Sequence, residues 1–436
     1  MDITVQDINS VDKEIVISAN REDLKSKFEE AYKKYQGKID MPGFRPGKVP
    51  ISIVKKRFGK EIEYQEIEKF LQEVFENRVV PEHEPVGETQ MVDLTWEDDE
   101  LEAKFRIGSK PAFELVDLDK IKVDRMVHDV TDEEVDEEID RILEQQGSWE
   151  EVDEPVTESS RVTIDAQALD QEGEPIEGDR EENQALDLRQ EQNQLFRKEL
   201  LGKKVGDIVD IEIGEEETQK FRLFVKKVEK LNQAELTEDF VKEQTDGEME
   251  TVDEYKSLVK SRIQSYYDQV SEDMLKNELV EEMVGAHDFE VPEVFLEQIK
   301  NQYVERVKQK NEGELPPDFD PEEYKENIED RAERDAKWFF INEKLQEKFD
   351  DIEIKPDDID EYLEMEAARY GISVDQMRNL FAQNPQQLES LRNSIRENKV
   401  FDRLMEEVKL NDISKKKYQK KHDKKVKARE KAAKKK

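Results

Sequence analysis

The chain has 436 residues, of which 42% are charged and 35% are hydrophobic, and its formal net charge is −41 at pH 7. This length allows roughly two to four domains, and the acidic balance argues against general nucleic-acid binding by most of the surface. Cysteine is absent, which excludes disulfide bonds and thiolate chemistry. The low apolar content predicts an elongated, mostly helical protein with a large surface.

No segment predicts secretion or membrane insertion. The amino terminus lacks the basic and apolar regions of a signal peptide. No apolar run approaches the roughly 18 residues that a membrane-spanning helix needs. We therefore predict a cytoplasmic protein without a membrane partner.

The pattern over residues 1–114 predicts a small α+β domain. Apolar runs on either side of Asn9-Ser10 are typical of two short strands. Apolar residues at helical spacing predict helices over 24–37, 51–59 and 64–80. Residues 91–107 then predict a β-hairpin around an acidic turn.

A loop of unusual composition, residues 41–50, separates the first two helices. It holds three prolines and two glycines, which forbid a helix or an inner strand and favour a stiff, shaped loop. Such a loop would expose Phe44, Arg45 and Lys48, one aromatic ring between two cations, suited to a surface of phosphate and protein. The alternative is an ordinary connection whose Phe44 packs onto the core.

The eight residues Gly43-Phe44-Arg45-Pro46-Gly47-Lys48-Val49-Pro50 closely resemble the ribosome-docking loop of the trigger factor family, bacterial chaperones of nascent chains. The resemblance implies binding near the ribosomal exit tunnel, to ribosomal protein and rRNA, and sheltering of nascent or unfolded polypeptides. The ribosome-binding residues that it implies are Gly43, Phe44, Arg45, Pro46, Gly47 and Lys48.

Residues 115–150 predict a connecting segment, in which Thr131 and Glu134 form the capping box of a short helix. Residues 151–232 predict antiparallel strands, with Gly173, Pro175 and Gly178 as turn material. This region resembles the middle domain of the family, a prolyl isomerase of the FKBP type.

The parts of that domain that would form an isomerase pocket depart from the family pattern. Ala166 replaces an aromatic residue, and only Phe196 remains of an Ile-Pro-Gly-Phe turn, aligned with residues 193–196. The long flap is also missing, since only residues 214–220 join the last two predicted strands. We therefore predict a shortened domain with weak or absent isomerase activity. An active peptidyl-prolyl isomerase is the alternative function.

Residues 233–414 predict an almost entirely helical domain with two arms. Thin helical arms cannot bury every apolar side chain, so some should stay partly exposed and bind clients. The candidate client-binding residues are Phe295, Tyr303, Trp338, Phe340, Met365, Phe381, Phe401 and Met405.

Residues 415–436 differ from the rest, with thirteen lysine or arginine residues against two acidic ones. The segment has no hydrophobic periodicity, so we predict a disordered tail or one that becomes helical on binding. It could be a solvated tail that visits the acidic body, or it could contact ribosomal RNA. An RNA-binding protein that acts through this tail is a second alternative function.

No cofactor or metal is predicted. The four histidines are scattered without ligand spacing, and no phosphate-binding loop occurs. The overall prediction is a multidomain α+β protein that acts as an ATP-independent, ribosome-associated chaperone in folding and export. Formation of a self-dimer stays open.

Overall fold

The computed structural model describes residues 1–45, 47–213, 219–382 and 385–433. They form two compact units: the first comprises Met1–Met126 with Glu272–Lys436, and the second comprises Val127–Ser271. The predicted α+β, multidomain class is confirmed. The predicted boundaries at residues 114, 150, 232 and 414 group the chain differently and stay a prediction.

The amino-terminal segment is an antiparallel sheet of order β1-β2-β4-β3 with helices packed on it. Its elements are β1 (Asp2–Asp7), β2 (Asp12–Asn20), α1 (Arg21–Lys38), α2 (Ile51–Val74), α3 (Val80–His83), β3 (Val86–Glu97) and β4 (Glu100–Gly108). The predicted strand pair and hairpin are confirmed. The two helices predicted over 51–80 instead form one rod, since a single π-helical turn (Phe75–Val79) joins α2 to α3.

Short-range signals explain where α1 lies. Asn20 and Asp23 form a capping box at its start, and Leu24, Phe28 and Tyr32 are buried along one face. This face packs with β2, β4 and α2 in a core that also contains Ile15, Ile17, Ile67 and Leu101.

The middle of the chain contains most of the second unit. β5 (Lys122–Val127) leads into it from the first unit. The elements that follow are α4 (Asp132–Gln145), β6 (Ser148–Glu151), β7 (Ser160–Leu169), β8 (Pro175–Asp187), α5 (Gln194–Leu200), β9 (Ile208–Ile213), β10 (Gln219–Asn232) and α6 (Glu238–Gln244). The long strand β10 pairs antiparallel with β6, β7 and β9, and β8 pairs with β7 at the edge. The predicted capping box at Thr131 and Glu134 is present at the start of α4.

The remainder of the chain is mainly helical. Its elements are α7 (Val252–Ala286), α8 (Glu293–Lys310), α9 (Pro321–Asn327), α10 (Glu329–Lys348), α11 (Pro356–Tyr370), α12 (Val374–Ala382), α13 (Pro385–Glu407), β11 (Lys409–Ser414) and α14 (Lys415–Ala433). Within the first unit, two glycines let the start of α8 lie directly on the sheet. A Cβ on Gly87 would come within 2.8 Å of the Phe295 backbone, and one on Gly108 within 2.6 Å of the Pro292 side chain. Glycine is therefore required for this packing.

Three elements differ from the predictions. Gly173 lies in the turn between β7 and β8, as expected, but Pro175 and Gly178, which were also expected to form turns, lie within β8. Its side chains are almost all exposed, so no apolar alternation marks it as a strand. Residues 409–414 were expected to belong to an almost entirely helical domain, but they form β11, which pairs with β5.

The third correction concerns the carboxyl terminus. Residues 415–433 form α14, whereas the sequence predicted a tail that is disordered or becomes helical only on binding. Tyr418 of this helix is buried, and two of its lysines contact carboxylates of the first unit. Those contacts offset the mutual repulsion of the lysines, which the sequence pattern alone could not show.

Candidate binding loop and exposed helical surfaces

Buried residues anchor the loop between α1 and α2 at both ends. Met41 and Val49 are buried in the core of the amino-terminal segment. The Gln36 side-chain amide on α1 donates a hydrogen bond to the Val49 carbonyl oxygen over 2.5 Å. The Pro50 carbonyl then accepts bonds from the first turn of α2, at Ile53 and Val54. The chain between Met41 and Val49 is therefore held by its two ends.

Two glycines shape the part of the loop between these anchors. Gly43 has φ +90° and Gly47 has φ +73°, in the left-handed region that L-residues with a side chain rarely adopt. The Phe44 amide donates to the Met41 carbonyl at 3.1 Å, and the Lys48 amide donates to the Arg45 carbonyl at 2.9 Å. The loop is thus two consecutive tight turns.

These turns direct the aromatic and basic side chains outward. Phe44 is 37% exposed, and Arg45 and Lys48 are exposed as well. The alternative, in which Phe44 is buried in the core, is not what the structure contains. Gly43 is exposed and Gly47 is half-buried, while Pro46 lies outside the described residues. The Phe44 ring can lose its hydration on binding, and the two cations beside it can contact phosphate or carboxylate groups, so the loop suits a surface of phosphate and protein.

A buried ionic network holds together the elements that carry the loop. Glu63 of α2 accepts two hydrogen bonds from the Arg21 guanidinium of α1, both at 2.9 Å. The Trp96 indole N–H of β3 donates to the same carboxylate at 3.0 Å, and the Tyr32 hydroxyl also donates to it. One carboxylate therefore connects both helices that flank the loop with the sheet beneath them.

The electrostatics of this network keep Glu63 ionised. Burial alone would raise the pKa of the Glu63 carboxyl, but hydrogen bonds from Arg21, Tyr32 and Trp96 outweigh it and hold that pKa below its ordinary value. Burial and the bond to Glu63 raise the pKa of the Tyr32 hydroxyl. Sequence analysis missed this network because a single Glu within a helix carries no signal that distinguishes it from a solvated residue.

Four of the eight candidate client-binding residues are core residues. Phe295, Tyr303, Phe340 and Phe401 are all buried, so these four are not among the candidates that stay partly exposed. Phe295 packs against Phe340 with ring centroids 5.1 Å apart, and Phe401 stacks on Trp338 at 5.3 Å. The helices of the first unit contact more neighbours than a thin arm would provide, and the largest rings fill the space between them.

The other four candidates keep some exposed surface. Trp338, Phe381 and Met405 are half-buried, and Met365 is 53% exposed. The structure also exposes apolar side chains that the sequence analysis did not select, among them Phe339, Tyr370 and Leu380. Phe339 could have been found from the run Trp338-Phe339-Phe340, because three successive aromatic residues on one helix cannot all point to the same core. Which of these residues bind clients stays a prediction.

In the second unit, the positions compared with the isomerase pattern lie partly in the domain core and partly at the surface. Ala166 and Phe196 are half-buried and pack against the core of the β-sheet, while Leu195 is exposed. Asn193 is buried and donates to the Asp187 carbonyl at 2.9 Å. Residues 214–218, the shortened connection, lie outside the described residues.

Asp165, next to Ala166, is a structural carboxylate. The Asn183 backbone N–H and the Arg180 guanidinium hydrogen-bond it at 3.0 and 2.7 Å. These bonds lower the pKa of Asp165 to about 2. It therefore stays ionised near neutral pH and holds β8 against β7.

The described residues contain neither a metal-binding cluster nor a membrane-spanning helix. No group of three or more His, Cys, Asp or Glu side chains is placed to hold a metal ion in that part of the chain. No helix within the same residues combines the length and the apolar character that a membrane crossing requires.

Comparison with known proteins gives consistent results for both ends of the chain. The family model described as bacterial trigger factor protein matches residues 1–142, and the model for the carboxyl terminus of that protein matches residues 251–406. A trigger factor from Salinibacter ruber is 29% identical over 93% of each chain. One from Chlorobaculum tepidum is 27% identical over 87% of this chain and 91% of its own.

A solved structure shares the fold. Its title is "Promiscuous Substrate Recognition in Folding and Assembly Activities of the Trigger Factor Chaperone", and it matches with a TM-score of 0.52 at 22% identity. The match covers 93% of this chain and all of the other.

Proposed function

This chain belongs to the trigger factor family, and from this premise we propose that the loop around Phe44 is its ribosome-docking site. The function of the chain is that of a ribosome-associated chaperone that assists the folding of new polypeptides. The observation that carries the docking proposal is the exposure of Phe44, Arg45 and Lys48 on a loop anchored by buried Met41 and Val49.

The loop geometry gives each side chain a physical role in docking. Phe44 offers apolar area that becomes desolvated on binding, and Arg45 and Lys48 offer charge to phosphate or to acidic protein groups. Because buried anchors and glycine turns already order the backbone, docking loses less conformational entropy than it would from a mobile loop. The contact then forms near the exit tunnel, on ribosomal protein and rRNA.

The client surface that we propose consists of the exposed apolar side chains of the helices in the first unit. Met365, Tyr370 and Leu380 are 53%, 67% and 56% exposed on α11 and α12, and Phe339 is exposed on α10. Scattered apolar groups surrounded by charge bind many unfolded segments weakly, and flexible Met adapts to different ones. Release then follows from modest affinity and does not require a nucleotide.

Two further parts of the proposal concern location and catalysis. The chain works in the cytoplasm, where ribosomes deliver nascent polypeptides. The second unit has weak or absent isomerase activity, which the core positions of Ala166 and Phe196 support. Clear turnover of a proline-limited peptide by the full chain would contradict this part.

Co-sedimentation with ribosomes tests the docking proposal. The triple variant Phe44→Ala, Arg45→Ala, Lys48→Ala should bind at least about 30-fold more weakly, since truncating a central aromatic or Arg contact typically costs about 2 kcal/mol or more. A matched control, Leu195→Ala with Lys198→Ala and Lys230→Ala, removes the same number of cations and one exposed apolar side chain in the second unit.

The control variant should pellet with ribosomes as the parent does. A variant lacking residues 415–436 should also keep most of the binding. If the triple loop variant pellets as well as the parent, the loop is not the anchor and the docking proposal is wrong.

A further inference from the structure

The basic helix α14 contacts the first unit through one face only. Tyr418, Lys421 and Lys425 recur every three to four residues, which places them on the same side of the helix. Tyr418 is buried, and its ring stacks near His422 at a centroid distance of 6.4 Å. The start of the helix is fixed by β11, where Asp412 accepts two hydrogen bonds from Arg125 of β5 at 2.7 and 2.9 Å.

Carboxylates of the first unit neutralise the lysines on that docked face. Lys421 donates to Asp124 at 2.5 Å, and Asn411 donates to the other oxygen of the same carboxylate at 2.6 Å. Lys425 reaches Glu278 and, at 3.2 Å, Glu282, both on α7. These contacts fix the rotation of α14 about its own axis, so the opposite face has a defined direction.

The opposite face is a row of lysines. Lys416, Lys420 and Lys427 lie opposite Tyr418, and Lys424 lies between them and the docked face. All four are exposed and follow one another at about one turn. At about 1.5 Å per residue they span about 17 Å of the helix axis. Within the described part of the chain, none of the four has an ion-pair partner. We call these four residues the outward lysine row.

The acidic body does not cancel the charge of this row. A helix is about 10–12 Å across, and the Debye length is about 10 Å at 0.1 M salt. Carboxylates beneath the docked face are therefore about one Debye length away from the outward lysines, so their field is much reduced there. The row keeps its attraction for an anionic partner although the chain carries a net charge of −41.

We propose that the outward lysine row is a binding surface for the phosphate backbone of RNA, separate from the Phe44 loop. The inference of RNA rests on the proposed function, because a ribosome-bound chain meets RNA at high local concentration. A membrane surface fits less well, since an interfacial helix needs an exposed apolar face and Tyr418 is buried on the docked side. Lysine rows without base-reading groups bind the backbone whatever its sequence.

The test measures binding of the full chain to a short RNA duplex of arbitrary sequence as salt is varied. Four phosphate contacts predict a slope of about −3 to −4 in log affinity against log salt, or about 100-fold weaker binding at 200 mM than at 50 mM salt. The variant Lys416→Gln, Lys420→Gln, Lys424→Gln, Lys427→Gln should lose that part of the slope and bind at least about tenfold more weakly at 50 mM. Glutamine keeps helix propensity, and circular dichroism checks that α14 stays helical.

Controls separate this surface from net charge and from the docking loop. The variant Lys198→Gln, Lys230→Gln, Lys242→Gln, Lys310→Gln removes the same charge from exposed positions elsewhere and should keep the RNA affinity. In the background of the triple loop variant at Phe44, Arg45 and Lys48, the same four lysine-to-glutamine substitutions should lower the duplex affinity by the same factor as in the parent, because separate contacts contribute independently.

Three results would overturn the proposal. They are absence of duplex binding by the parent at 50 mM salt, an equal loss of affinity in the dispersed-lysine control, and binding to phosphatidylserine vesicles without binding to RNA. None of these results bears on ribosome docking by the loop, so the two proposals fail separately.

Discussion

The Phe44 loop and helix α14 expose cations on an acidic chain by different physical means. The loop is fixed by buried apolar side chains, one amide hydrogen bond and two left-handed glycines. The helix is fixed by Tyr418 and by ion pairs between its lysines and the carboxylates of Asp124, Glu278 and Glu282.

Because of this difference, the loop and α14 should respond differently to salt and to pH. Apolar anchors and glycine geometry depend little on salt or pH, so the loop keeps its shape over a wide range of conditions. Exposed and half-exposed ion pairs contribute about 0–1 kcal/mol each and weaken with salt and acid. The shape of the loop should therefore change little with salt and pH, whereas the position of α14 should respond to both.

The largest effect is expected at Glu63, the buried carboxylate that connects the two helices on either side of the loop. Glu63→Gln removes the carboxylate that accepts two hydrogen bonds from Arg21, which keeps only its more exposed pair with Asp99, and should lower the local stability of α1 and α2 by about 1.5–3 kcal/mol. Hydrogen exchange of the amides in both helices measures this, with Glu61→Gln on the exposed face of α2 as the control. An equal effect of the two substitutions would mean that the buried network does not hold the base of the loop.

A smaller effect is expected from the glycine geometry of the loop. Gly47→Ala forces a residue with a Cβ into φ +73°, at a cost of about 1–2 kcal/mol, and should weaken ribosome binding about five- to thirtyfold. Gly37→Ala is the matched control, because that glycine is helical and its Cβ would meet nothing within 4 Å. The control should bind ribosomes normally and stabilise α1 slightly. Normal binding by Gly47→Ala would argue that loop shape is unimportant.

The smallest effect is the response of α14 to acid. Burial alone would raise the pKa of the Asp124 carboxyl, but hydrogen bonds from Lys421 and Asn411 outweigh it and lower that pKa. A lowered pKa in the folded state stabilises docking above the ordinary Asp value, and this stabilisation is lost as pH falls through the folded value. Docking of α14 should therefore weaken below about pH 4, by less than about 1 kcal/mol.

A spin label can report this response, because the chain has no cysteine of its own. A nitroxide at Lys420→Cys should become more mobile between pH 5 and pH 3, whereas one at Lys48→Cys should not. The change at position 420 should disappear in Asp124→Asn. Persistence of the acid step in that variant would show that another group controls α14.

Much of the local structure could be predicted from the sequence. The shape of residues 41–50 follows from proline and glycine, whose backbone preferences act within a few residues. The starts of α1 and α4 follow from capping residues, and the β3–β4 hairpin follows from alternation around an acidic turn. The eight-residue motif was specific enough to indicate the family before any fold was known.

Long-range packing decided what the sequence left open. Exposure of a helical apolar residue depends on which other helices cover it, so the sequence could not show that Phe295, Tyr303, Phe340 and Phe401 are buried while Met365 is exposed. The edge strand β8 has no buried face and hence no periodic signal.

The sequence by itself therefore determined the shape of the Phe44 loop, the starts of α1 and α4, and the family. Only the tertiary structure decided that Glu63 connects two helices with the sheet, that β11 pairs with β5, and that α14 is helical with its lysines divided between two faces. The physical reason is that backbone preferences act over a few residues, whereas burial and ion pairing depend on partners far away in the chain.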